Sequence, residues 1–371
     1  MNFVPVNQPL LNGNEKKYLN ECIDSCWISS EGEFVALFEK QFAERHSRKY
    51  GIAVSSGTAA LQISVDLLDL REGDEVIVPT FTIISCVNAI LQSRATPVLV
   101  DCQIDTFNTS VKEIQKAITS KTKAIMLVHI YGLPVDADPI IEIAKKNNIV
   151  VIEDSAEVIG LDYKDRPCGS LGEMSTFSFY SNKHITTGEG GMILTDDDCF
   201  AERAKSARNL CFQQDKRFYH DRTGWNFRMT NMQAALGLAQ LEQLDKFVTI
   251  KRKMGKLYDK FLSGSKMFQT PIASTDYAEN IYWAYGIVLS ERSKYNAYEV
   301  IQILKERNIG SRPFFYPMHQ QPVFNNQKLF TDEVHPNSEK IAEMGLYLPS
   351  GLALNESQIE YVSEVLIEIL S

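Results

Sequence analysis

The sequence predicts an α/β fold, with a parallel sheet covered by helices on both faces and a smaller α+β unit after it. Two observations predict this. From Tyr50 to Ile152, apolar runs of about four to six residues recur, each followed by a polar turn and a helical pattern, as in parallel strands buried on both faces. Near residue 246 the rhythm stops, and isolated strand and helix patterns follow. A chain of 371 residues is long enough for two cores, so the expected division is 1–245 and 246–371.

The elements follow in order. Asn12–Glu15 reads as a turn into an acidic first helical turn, with Tyr18, Leu19, Cys22 and Ile23 at helical spacing. Phe34, Leu37, Phe38 and Phe42 mark a second amphipathic helix. Strands are expected at Gly51–Val54, Glu75–Val78, Pro97–Val100, Ala124–His129 and Ile149–Ile152, with helices at Ala59–Leu68 and Thr82–Leu91. Thr176, Ser178 and Tyr180 alternate with Phe177 and Phe179 in a further strand, and a Gly-rich hairpin returns to Met192–Thr195. Beyond it, Phe247, Ile250, Met254, Tyr258 and Phe261 recur at steps of three and four on one helix face. Ile281–Ser290 reads as a strand, Ala297–Glu306 as a helix, and Asn355–Leu370 as the last helix.

Composition narrows the function. A net charge of −9 argues against nucleic acid as the main partner. No run approaches the ~20 apolar residues of a membrane span. The first residues lack the charged and apolar regions of a secretory signal. Seven scattered cysteines make no Cys-x-x-Cys pair and no zinc spacing with histidine, so no metal is expected. Reduced thiols in the cytoplasm account for them.

Chemistry concentrates beyond the strand ends, where ligands of such sheets bind. Lys183 follows its strand in a polar turn close to glycines, a place suited to a Schiff-base lysine, although a solvated surface lysine would look the same. Asp154 ends the strand before it and can keep a pyridinium nitrogen protonated, the pairing a pyridoxal phosphate (PLP) site needs; its other reading is a helix cap. Ser55–Thr58 opens a helix with small residues, so the Gly57 and Thr58 amides suit a phosphate, and the Ser178 hydroxyl can join them. His129 reads as a structural hydrogen-bonder at a strand end. Arg228 and Arg312 offer forked guanidinium groups for a diphosphate, or ordinary surface ion pairs.

Nine ordered segments carry a resemblance: Trp27–Gly32, Ser55–Leu61, Gly73–Thr80, Val128–Gly132, Glu153–Glu157, Phe177–Lys183, Thr186–Met192, Asn226–Asn231 and Arg312–His319. With them the chain resembles the DegT-type sugar aminotransferases, and within these the perosamine synthases. The resemblance implies the three-layer, type I aspartate-aminotransferase fold with PLP as cofactor and Lys183 as its lysine. It implies a homodimer with shared sites, Asn226 reaching the phosphate of the neighbouring subunit and Trp27–Gly32 lying at the interface. Glu157 matches a position beside the cofactor ring, where a carboxyl must be protonated or donor-paired. His319 matches a histidine near the sugar. Ile83 stands where relatives place an aromatic ring over the cofactor, which removes the stacking contribution of ~0.5–1.5 kcal/mol.

The implied reaction is ping-pong transamination from L-glutamate to a nucleotide-linked 4-keto-6-deoxyhexose, with GDP-4-keto-6-deoxy-D-mannose giving GDP-perosamine. UDP- or dTDP-linked 4-keto-6-deoxyglucose is the alternative acceptor. A PLP-binding regulator of the same fold is the alternative from another class, and retention of Lys183, Asp154 and Ser178 speaks against it.

Overall fold

A computed structural model describes residues 2–213 and 215–371. Helices α1 (Glu15–Asp24) and α2 (Glu33–Arg45) lead into β1 (Tyr50–Val54) and α3 (Gly57–Asp66). Then come β2 (Glu75–Pro79), α4 (Ile84–Gln92), β3 (Thr96–Val100), α5 (Val111–Ala117), β4 (Thr122–Val128), α6 (Ala137–Lys146) and β5 (Val150–Asp154). The short strands β6 (Asp162–Tyr163) and β7 (Arg166–Pro167) form a hairpin absent from the sequence-based expectation. Its turn residues, Lys164 and Asp165, both have positive φ, as a type I′ turn requires. Strands β8 (Met174–Ser178) and β9 (Gly191–Thr195) complete the large sheet, and α7 (Asp198–Arg208) and α8 (Asn231–Leu241) pack beside it.

The seven strands lie in the order β1-β9-β8-β5-β4-β2-β3. Six are parallel, and β9 runs antiparallel to both β1 and β8, so the sheet is mixed. The reversal follows from the hairpin read at Lys183, because a chain that turns back beside its own strand must pair antiparallel. Alternate residues enter opposite cores: Ala53, Ile77, Leu127 and Val151 face α2, α6 and α8, whereas Ile52, Val78, Met126 and Ile152 face α3, α4 and α7. These are the three layers of the expected architecture. All the parallel strands open their carboxyl ends on one side.

The remaining chain builds a second sheet. Helix α9 (Leu244–Leu262) leads to β10 (Phe268–Gln269), β11 (Tyr285–Leu289), α10 (Ala297–Glu306) and β12 (Arg312–Pro313). Helices α11 (Pro322–Asn325) and α12 (Pro336–Met344), strand β13 (Gly345–Leu348) and helix α13 (Glu356–Leu370) finish the chain. The order β10-β11-β13-β12 is antiparallel throughout. Residue 246 lies inside α9, whose Leu244 and Phe247 join the first core while Met254, Tyr258 and Leu262 join the second. Val4 also enters the second core, bridging to Ile309.

The two units meet at Gly132. Its φ of +101° favours glycine, and a Cβ there would stand 2.5 Å from the Trp283 nitrogen and 2.6 Å from that of Tyr282. Backbone atoms cannot yield as a flexible side chain does. Gly132→Ala should therefore lower unfolding stability by about 2–4 kcal/mol in urea titrations. A change within about 0.5 kcal/mol would show that this contact is not tight.

Candidate active site

A cavity of about 440 Å³ opens at the strand carboxyl ends and is lined by Gly57, Thr58, Ile83, Asp154, Glu157, Ser178 and Lys183. Seven residues chosen from sequence thus share one space. Arg312 lines a smaller cavity of about 200 Å³, and both cavities share Tyr180, Asn182, Trp283 and Tyr347.

Asn226, Arg228 and His319 line neither cavity. The exposed Asn226 accepts two hydrogen bonds from Arg228, at 2.8 and 3.1 Å, while Arg228 also donates to Asn209. Their segment runs beside β1, where the Phe227 carbonyl accepts from the Ser55 amide. His319 is buried behind the turn that follows β2. Its Nε2 donates to Glu339 at 2.9 Å, so Nδ1 accepts the Thr80 hydroxyl at 2.8 Å. Both of its ring nitrogens are therefore engaged within the chain.

Lys183 occupies the loop between β8 and β9, its side chain about 10 % exposed. Its Nζ stands 3.4 Å from Glu157 Oε1 and 4.2 Å from the centre of the Trp283 ring. Glu157 Oε2 accepts the Tyr131 amide at 2.9 Å. Burial pushes the Glu157 carboxyl up to about 7, while Lys183 and the Tyr131 amide pull against it. Burial also raises Asp154, opposed by the Ala156 amide and by Lys183. Asp154 Oδ1 accepts that amide at 3.1 Å, and Oδ2 has the Cys86 thiol at 3.4 Å, a weak donor.

His129 forms part of the cavity wall but is structural: Nδ1 accepts the Val135 amide and Nε2 donates to Glu153, both at 3.0 Å. Ile83 is 45 % exposed and turns into the cavity, whereas Phe81 is buried among Tyr131, Phe314 and Phe315. Sequence reading missed Trp283, Phe315 and Tyr347, which complete the wall from the second unit. No spacing signal ties them to Lys183; only the packing of the two units brings them there.

The donor set fits PLP. Helix α3 presents the Gly57 and Thr58 amides, which have no intrahelical acceptor, while the Ser56 side chain caps Ala59. A Cβ on Gly57 would fall 2.7 Å from that of Ser178, so glycine keeps this cradle open. Deeper in, Asp154 presents an under-satisfied carboxyl, and the Thr176 hydroxyl is buried without a partner. Free amide donors, an under-satisfied acid and an amine therefore line one space. A sequence profile described as the DegT/DnrJ/EryC1/StrS aminotransferase family matches residues 9–367.

The chain belongs to this family.

It is a PLP-dependent aminotransferase. It is 43% identical over 371 residues to GDP-perosamine synthase of Escherichia coli O157:H7, covering 100% of both chains. With GDP-perosamine synthase of Caulobacter vibrioides it shares 41% identity, covering 99% of this chain and 98% of the other. The crystal structure of the aminotransferase TlmJ from Streptoalloteichus hindustanus superimposes with a TM-score of 0.92 at 27% identity, covering 99% of this chain and 98% of that one. Family members thus share both the fold and the type I architecture expected from the sequence. Among the described residues, no helix is long and apolar enough to cross a membrane.

Glu157 gives a pH test. Its pKa rises from 4.5 in the unfolded chain to about 7 in the fold. Between those values the folded state keeps a proton that the unfolded state has lost, so stability falls as pH rises through that window. Glu157→Gln removes this dependence. In the cofactor-free protein, the variant should gain stability over wild type from pH 4.5 to 7, by about 3 kcal/mol at most, with no further gain above. Parallel melting curves would rule out the raised carboxyl.

Proposed function

We propose that this aminotransferase transfers the amine of L-glutamate to C4 of a nucleotide-linked 4-keto-6-deoxyhexose, with GDP-4-keto-6-deoxy-D-mannose as acceptor and GDP-perosamine as product. The observation that carries the sugar reading is the end-to-end likeness to synthases of that product. Glu157 beside the amine supports it, because the sequence resemblance to perosamine synthases includes that glutamate.

When bound, PLP supplies an electron sink for the carbon that carries the migrating amine. The residues around it have separate tasks. Lys183 holds the cofactor and, once free, moves the proton at that carbon through Nζ. Asp154 would hold the ring nitrogen of the cofactor protonated. The carboxyl of Glu157 can carry a proton near neutral pH and so would face the bound cofactor as a donor instead of a second anion. The Gly57 and Thr58 amides and the Ser178 hydroxyl hold the phosphate, and Ile83 covers the ring. Trp283, Phe315 and Tyr347, from residues 246–371, close the space against water; in this reading the two domains meet at the cavity.

The reading includes a homodimer with shared sites, Asn226 of each subunit serving its neighbour's phosphate. The exposure of Asn226, away from its own cavity, supports that assignment. Arg228 and Arg312 serve the diphosphate, whereas His319, expected near the sugar, is engaged by Thr80 and Glu339 and braces the turn after β2. The cytoplasm suits seven cysteines that are all free.

Two measurements test the reading. With L-glutamate and 4-keto-6-deoxy sugars linked to GDP, UDP or dTDP, kcat/KM should favour the GDP sugar. A UDP or dTDP glucose derivative ahead by about a hundredfold, within the reach of pocket contacts, makes the product a viosamine nucleotide; three inert sugars remove the 4-keto assignment. Separately, Lys183→Ala and Asn226→Ala should each be nearly inactive, and mixed dimers should recover activity at the one site that carries neither lesion. Verified heterodimers without recovery count against sharing.

A further inference from the structure

Lys251 lies in the middle of α9 and is 2 % exposed. An ammonium group is rarely buried without a carboxylate, because burial favours the neutral amine. Here Nζ donates to two backbone carbonyls, that of Trp283 at 2.8 Å and that of Ser350. Burial lowers its pKa from 10.5 to about 7. The titratable neighbour facing it is His184, next to Lys183 in the chain. Burial, and then Lys251, depress that ring to about 3, so it faces the amine uncharged.

The two carbonyls belong to two of the segments that the second unit brings to the cavity. Trp283 covers the Lys183 amine, and Ser350 follows β13, which brings Tyr347 into the cavity. The Trp283 segment needs anchoring. Tyr282 has a φ of +49°, a region a tyrosine rarely adopts. Asn280 Oδ1 accepts the Tyr282 amide at 2.6 Å, and the Ile281 amide donates to the Gly132 carbonyl at 3.0 Å. The Ile281 carbonyl accepts from His184 at 3.3 Å. These bonds hold the segment up to Tyr282. Lys251 takes the next carbonyl, the one on the residue whose ring meets Lys183.

We propose that Lys251 is a positioning residue for the reacting amine: through the Trp283 carbonyl it fixes the indole against Lys183, and through the Ser350 carbonyl it ties the facing wall to the same point. The indole face gives the Lys183 ammonium a resting place opposite Glu157. A freed amine held there stays within reach of the carbon it must serve. Hydrogen bonding carries the effect, not charge, since both partners of Lys251 are neutral carbonyls. The inference rests on Lys183 as the reacting amine.

Three variants of the full-length protein test it: Lys251→Met, which removes the donors; Lys251→Gln, which keeps two N–H donors without charge; and Trp283→Phe. The Met variant should lose roughly tenfold to a hundredfold in kcat, with KM for the sugar nucleotide near wild type. The Gln variant should recover most of that loss. In near-ultraviolet circular dichroism, the band missing from Trp283→Phe should also fade in Lys251→Met and persist in Lys251→Gln. Adding Lys251→Met to Trp283→Phe should cost little more. A folded Met variant with the wild-type band and kcat overturns the proposal, as does an undiminished loss in the Trp283→Phe background. Where the Met variant does not fold, the Gln variant decides: a tenfold loss of kcat with the Trp283 band intact overturns it. The dichroism reads the indole independently of turnover, so a wrong assignment of Lys183 would show as kcat retained in Lys183→Ala, with the dichroism response of the Lys251 variants unchanged.

Discussion

One amine set against two buried carboxyl groups governs this protein. Lys183 lies 3.4 Å from Glu157, and both Glu157 and Asp154 feel its charge. Burial alone would protonate both acids, whereas the cation alone would ionise both. The balance differs between them because their remaining partners differ. Glu157 sits near 7, where a proton can be held or given up around neutral pH. An aminotransferase must move protons at one carbon, and a largely apolar-walled cavity with this charge balance suits that task.

The end of β5 shows how a strand separates a saturated acid from an under-satisfied one. Glu153 and Asp154 are consecutive and so point to opposite faces. Glu153 is saturated: it takes donors from His129, Ser155 and the amides of Gly169, Leu171 and Gly172. Although burial opposes ionisation, those donors hold it near 2. Asp154 has one amide and one thiol, and it opens onto the cavity. An unsatisfied acid at the end of a buried strand is available to a ligand; a satisfied one braces the turn.

The second unit contributes geometry more than charge. Trp283, Phe315 and Tyr347 roof the site, and each depends on contacts between segments far apart in the chain. Gly132 lets the Trp283 segment come within contact distance of the strand-end turn. Helix α9 joins the core below the large sheet to that of the second sheet, and its Lys251 reaches the Trp283 carbonyl of the roof.

The sequence by itself determined the repeated strand-turn-helix order, the strand ends as the place of chemistry, and seven of the residues that share the cavity. Those features are local, since hydrophobic periodicity sets each element and parallel strands must present their carboxyl ends together. The expectation for Lys183 rests on its neighbours in the chain and on resemblance. Tertiary structure decided which histidine stands where: His129 at the wall and His319 bound between Thr80 and Glu339, a distinction no spacing reveals. It also decided the mixed sheet order, the roof over the amine, and the passage of α9 and Val4 into the second core. These depend on contacts between segments that are not neighbours in the chain, where burial and backbone fit choose the partner and local pattern carries no record of the choice.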